Sequence, residues 1–189
     1  MELIKTPLQD CVLLKPTVFN DPRGYFFESF NQSKFQELTG LDVSFVQDNQ
    51  SFSSYGVLRG LHFQQGEHAQ AKLVRVLKGA VLDVALDLRI DSPTFGKHYS
   101  VVLSEENKLQ LFIPRGFAHG FAVISEQAEF YYKCDNFYNK ASEGGILFND
   151  PELNIDWQIA EADILVSDKD RENPTFNSYK STGKEVFSI

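Results

Sequence analysis

The chain has 189 residues, 42% of them hydrophobic and 13% aromatic, enough for one sizeable core and no clear second domain. A formal charge of −8 argues against a broad grip on a nucleic-acid backbone, which needs a basic face. No apolar run reaches the roughly 18 residues of a membrane span, and the segment from Met1 to Lys5 lacks the regions of a signal peptide, so a cytoplasmic chain is expected. Cys11 and Cys134 stand in unrelated contexts and are read as free thiols, with Cys134 buried in a strand.

In chain order, Asn20 to Gly24 is a turn feeding an aromatic strand from Tyr25 to Phe30. Ser33 to Thr39 carries Phe35 and Leu38 at helical spacing, with Ser33 and Gln36 in capping-box register and Gly40 as the stop, which predicts a short helix. Val57 to Phe63 reads as a short stretch of sheet bearing Arg59 and His62, and Lys72 follows closely. An imidazole beside fixed cations suits proton abstraction from carbon, since the cations stabilise the anion left behind.

Apolar runs on either side of Lys78 and Gly79 predict a hairpin of two buried strands between Leu73 and Leu88. Further strands are predicted at Tyr99–Leu103, Lys108–Ile113, Gly120–Ile124 and Ala128–Lys133, with Pro114 to Gly120 as a tight corner carrying His119. Many short strands at even spacing predict a mainly β, antiparallel jelly-roll barrel with few short helices. Strand alternation sends every second residue inward, which marks His62, Lys72 and Tyr132 as polar groups that a barrel interior must account for. Taken singly, each has a plain structural alternative: a hydrogen-bonded core histidine, an edge-strand charge, a packed aromatic ring.

The spacing from Pro114 through Gly116 to His119, with Gly56, His62 and Gly79, resembles the two signature motifs of the cupin superfamily. The metal-binding version is broken, because Gln64 and His68 or Ala69 stand where further ligands belong, so no metal is expected. A more specific resemblance runs through most of the chain. Asp21 to Phe26, Phe45 to Asn49, Leu58 to His62, Lys72 to Val76, Pro114 to Gly120, Ala141 to Gly145, Asn149 to Pro151, Asn154 to Trp157 and Ser167 to Asp170 follow the order of the dTDP-4-dehydrorhamnose 3,5-epimerase family.

That resemblance implies a single cupin-like domain over residues 1–189, with a C-terminal extension packing on the barrel, and cofactor-free chemistry on a nucleotide-linked 4-keto-6-deoxy sugar. It implies that His62 is the base with Asp170 as its partner, that Lys72 faces the C4 oxygen, and that Tyr132 returns the proton from the other face, with neighbouring Tyr131 as the competing donor. It also assigns ligand positions to Arg59, His119, Arg23, Glu28, Glu143 and Lys169, the nucleotide to Gln47, Asp48 and Asn49, and the thymine ring to Phe26. Exchange of N-terminal strands across a two-fold axis would make the molecule a homodimer, with no nucleic-acid or membrane partner. A C3-only epimerase, a metal-dependent cupin enzyme and a non-catalytic sugar-binding cupin are the alternatives.

Overall fold

The computed structural model describes residues 1–182. Strands β1 (Glu2–Lys5), β2 (Val12–Lys15), β3 (Phe19–Asp21) and β4 (Gly24–Phe26) precede helix α1 (Gln32–Thr39). Then come β5 (Gln47–Ser54), β6 (Leu58–Gln64), β7 (Lys72–Lys78), β8 (Ala80–Asp87), β9 (His98–Ser104), β10 (Gln110–Ile113), β11 (Phe117–Val123), β12 (Gln127–Cys134) and β13 (Glu143–Gly145). Two short helices, α2 (Asp168–Arg171) and α3 (Phe176–Ser181), close the described chain. No helix among the described residues is long and apolar enough to cross a membrane.

The strands form a six-stranded sheet ordered β1-β2-β10-β7-β12-β5 and a five-stranded sheet ordered β13-β6-β11-β8-β9, all pairs antiparallel. Their inner faces meet in a core containing Val74, Val76, Val81, Ala85, Leu111, Phe121 and Phe130. The outer face of the five-stranded sheet is buried too, since Leu82, Val84 and Leu86 of β8 pack against Ile146, Phe148, Trp157, Phe176 and Tyr179 of the C-terminal segment. Burial on both faces explains why β8 reads as a near-continuous apolar run. Helix α1 seals the outer face of the other sheet through Phe35, which packs on Leu14, Leu73 and Phe112.

Four predicted features come out differently. The run around Gly79 is a corner between sheets, not a hairpin: β7 pairs with β10 and β12, β8 with β9 and β11. Periodicity reports buried strands but not which strand each one pairs with. Gly79 makes the corner possible, having φ +75° and leaving no room for a Cβ, which would lie 2.0 Å from the Gln127 carbonyl oxygen. The aromatic strand ends at Phe26 rather than Phe30, because β4 pairs only with three-residue β3 and neither face of that hairpin is covered. Helix α1 is capped by Asn31, whose side chain accepts from the Lys34 N–H, rather than by Ser33; Gly40 does end it, at φ 69°. His119 lies inside β11, not in a corner.

Candidate active site

The barrel opens into a cavity of about 540 Å³ whose opposite walls are the two sheets. His62, Arg59 and His119 come from β6 and β11 on one wall; Lys72, Tyr132 and Asn49 come from β7, β12 and β5 on the other. Asp170, Lys169 and Ser167 reach the rim from the C-terminal segment. Alternation by itself would send Arg59 and His62, three apart, to opposite faces. A bulge prevents this: Arg59 pairs with Phe121 and His62 with His119, so β6 holds one more residue than β11 over this stretch. Gly60 sits in the bulge at φ +133°, against Gly120, and a Cβ there would lie 2.5 Å from the Gly120 Cα.

His62 Nε2 meets Asp170 Oδ1 at 2.5 Å, with the carboxylate almost fully buried and the imidazole one-third exposed. Ser167 caps α2 by accepting the Asp170 N–H, and the Gly60 N–H reaches Asp170 Oδ2 at 3.4 Å. Burial pushes this carboxyl upward, but the contacts from His62, Gly60 and Ser167 outweigh it and hold Asp170 below the usual aspartate range. The carboxylate therefore accepts a hydrogen bond from Nε2–H, leaving Nδ1, which has no partner among the described residues, as the basic nitrogen.

Lys72 Nζ lies 5.9 Å from the Tyr132 ring centroid. Burial lowers the Lys72 pKa, opposed by the negative field of neighbours including Asp83 and Glu143. Burial also lifts the Tyr132 phenol to about 12, which keeps it protonated near neutrality. Tyr131 points to the outer face, beside Asp48 and Lys133, so alternation leaves Tyr132 as the tyrosine of this strand that lines the cavity. Arg59 is held by donation from Nε to Ser53 Oγ at 3.2 Å.

At the rim, Glu143 receives Lys169 at 2.6 Å and the Tyr138 hydroxyl at 3.0 Å, and the Tyr138 N–H is accepted by Gln47. Gln47 in turn donates to Asn49 at 3.1 Å. Asp48 points outward to Lys133. Arg23, Phe26 and Glu28 do not line this cavity: Arg23 pairs with Asp21, Glu28 with Lys34, and Phe26 is 70% exposed on its hairpin. Arg115 is taken up by Asp135, and Trp157 is a core residue donating to the Phe148 carbonyl. Gln64 accepts from the Asn139 N–H, and His68 bonds Asn139 and Ser142, both apart from His62. Among the described residues no group of three or more His, Cys, Asp or Glu is gathered to hold a metal.

Sequence reasoning missed Asp83, which lies in the middle of β8, fully buried, with both oxygens on His119 Nε2 at 3.1 and 3.0 Å. Its signal was present, since an aspartate inside an apolar strand is the inward polar residue that alternation flags.

A profile of the family described as dTDP-4-dehydrorhamnose 3,5-epimerase matches residues 5–178. The chain belongs to this family. A Salmonella typhimurium dTDP-4-dehydrorhamnose 3,5-epimerase is 56% identical over 174 residues, covering 92% of this chain and 94% of that protein. The crystal structure of the Elizabethkingia anophelis dTDP-4-dehydrorhamnose 3,5-epimerase superposes with TM-score 0.91 at 64% identity, covering 94% of this chain and 97% of that one. A Legionella pneumophila dTDP-6-deoxy-D-glucose-3,5-epimerase, solved in complex with dTDP-4-keto-L-rhamnose, gives 0.93 at 44% identity over 100% and 99% of the two chains. The jelly-roll expected of the family is thus the fold found.

Proposed function

We propose that this chain is a cofactor-independent isomerase that converts dTDP-4-dehydro-6-deoxy-D-glucose to dTDP-4-dehydro-L-rhamnose by inverting C3 and C5, a step toward dTDP-L-rhamnose. The observation that carries this reading is the opposition of His62 with Asp170 on one wall to Lys72 and Tyr132 on the other. Inversion at carbon needs a base on one face of the ring and an acid on the opposite face, and no single side chain supplies both.

The C4 ketone acidifies the hydrogens on C3 and C5. His62 Nδ1 removes one, and Asp170 stabilises the imidazolium that forms. Charge moves onto the C4 oxygen, where the Lys72 ammonium meets it; such a donor is worth about 3 kcal/mol in the transition state. Tyr132, protonated because it is buried, delivers the new proton from the far side. Arg59 suits bidentate contact with the diphosphate, and Lys169, Glu143, Gln47 and Asn49 suit the rest of the nucleotide sugar at the rim.

The working molecule in this reading is a cytoplasmic homodimer of single-domain chains, with Arg23, Phe26 and Glu28 entering the partner's cavity. Its support is the exposure of the β3–β4 hairpin, where Phe19, Tyr25 and Phe26 are all uncovered. The C-terminal extension packs on the barrel through Phe176 and Tyr179, and residues 183–189 lie outside the described residues.

The test is solvent exchange. Incubated with the 4-keto substrate in deuterated water, the chain incorporates deuterium at both C3 and C5, and His62→Ala abolishes it. Label at C3 alone marks a C3 epimerase, no label a binding protein, and wild-type exchange by His62→Ala removes His62 as the base. For the dimer, mixing Arg23→Ala with His62→Ala restores about one-quarter of the active sites if Arg23 acts across the two-fold axis, and none if it acts within its own chain.

A further inference from the structure

Asp83 has no part in the proton transfers just described, yet it is a fully buried carboxylate in the inter-sheet core. Its one hydrogen-bonding partner among the described residues is His119 Nε2, seen by both oxygens at 3.1 and 3.0 Å. A buried carboxylate facing a lone pair would be unsatisfied and repelled, so Nε2 must carry the proton. The ring is stacked on Phe130, centroids 5.9 Å apart and planes 22° apart, and rotating it would set a C–H against the carboxylate.

The other nitrogen, Nδ1, is left over. It receives no hydrogen bond from any described residue, it is not among the buried polar atoms sealed without a partner, and its ring lines the cavity. Burial drives the His119 pKa down more strongly than Asp83 draws it up, with Lys72 and His62 adding to the fall, so the ring is neutral and Nδ1 offers a lone pair. A lone pair accepts from a hydroxyl; it gains nothing from a phosphate oxygen, itself an acceptor.

We infer that Asp83 is a positioning residue that fixes His119 in the Nε2–H tautomer, so that His119 Nδ1 selects a hydroxyl of the substrate's sugar ring instead of gripping the diphosphate. The sugar assignment rests on the epimerase reading; the tautomer assignment does not. The chain holds four histidines, few enough for each to be resolved by long-range proton–nitrogen NMR of 15N-histidine-labelled protein. In the wild type, His119 shows a protonated Nε2 and a bare Nδ1 at neutral pH. In Asp83→Leu, which leaves Nε2–H without an acceptor, the proton moves to Nδ1, where it faces the cavity, and the pattern reverses. A doubly protonated or Nδ1–H ring in the wild type overturns the inference, even if the variant fails to fold.

The second arm reads binding with dTDP-6-deoxy-glucose, which lacks the reactive ketone, and its 2-fluoro and 3-fluoro analogues. Fluorine accepts weakly and cannot donate, so at the contacted position it weakens wild-type affinity by about tenfold. In Asp83→Leu, where Nδ1 carries the proton, fluorine can accept weakly from it instead of facing a lone pair, so that ratio falls. Equal affinities at both positions in the wild type refute the hydroxyl contact, and a ratio unchanged in the variant refutes its control by Asp83. Failure of deuterium exchange with the keto substrate would instead sink the epimerase reading and leave the tautomer result standing.

Discussion

Replacing Asp170 with asparagine keeps the shape of the site and changes only what the side chain offers His62 and Gly60. Asp170 Oδ1 accepts from the Nε2–H of His62 at 2.5 Å while Oδ2 accepts from the Gly60 N–H at 3.4 Å, so both oxygens act as acceptors. Asparagine has one acceptor. If its oxygen serves Gly60, its amide donates to Nε2, the imidazole proton moves to Nδ1, and the base has lost its lone pair. If its oxygen serves His62, the amide opposes the Gly60 N–H, at a cost of about 1–3 kcal/mol. In either arrangement the imidazolium loses a charged hydrogen bond worth about 1.5–3 kcal/mol, or roughly 10- to 150-fold. With the tautomer penalty added, kcat falls by about 10²–10⁴. KM changes little by comparison, because the lost interaction matters chiefly after the proton has moved. The assay is a proton-NMR time course of deuterium entry at C3 and C5, with thermal unfolding as the folding control. A kcat loss below tenfold, or a loss confined to KM, would refute the dyad.

Lys72→Met removes an ammonium that burial disfavours, so the variant loses about 10²-fold or more in turnover yet gains stability, with Tm rising by a few degrees if about 1 kcal/mol is recovered; a lower Tm in calorimetry contradicts the burial cost. Gly60→Ala sets a Cβ 2.5 Å from the Gly120 backbone at φ +133°, so urea unfolding should show about 3 kcal/mol or more of destabilisation together with lost activity; a cost under about 1 kcal/mol would disprove the close approach. Burial holds both His98 and His119 below the ordinary value of 6.5. As pH falls through 6.5 the unfolded chain takes up those protons first, so stability declines from there down to the folded-state values and is flat with respect to these groups above. Urea titrations across that window should show the decline steepening below neutrality and shallower in His98→Gln; a stability that rises on acidification over the same range reverses the sign and defeats the assignment.

The residues themselves determined that the chain is a mainly β barrel carrying an imidazole and an ammonium group inside, because inward polar residues at His62, Lys72 and Tyr132 interrupt apolar strand patterns of period two. Alternation also separated Tyr132 from Tyr131. Asp83 was equally legible by that rule and was passed over because the run around it reads as continuous apolar core. Tertiary structure alone decided three things. The bulge at Gly60 turns Arg59 and His62 to the same side, and no periodicity reports a bulge. The corner at Gly79 parts β7 from β8, whose sheet also holds β6, so that Lys72 faces His62 across the cavity from the opposite sheet. Asp170, 108 residues beyond His62, reaches it only because the C-terminal segment folds back over the outer face of β6 and β8. Local sequence sets which face of a strand a side chain takes; pairing between strands far apart in the chain sets what that face meets.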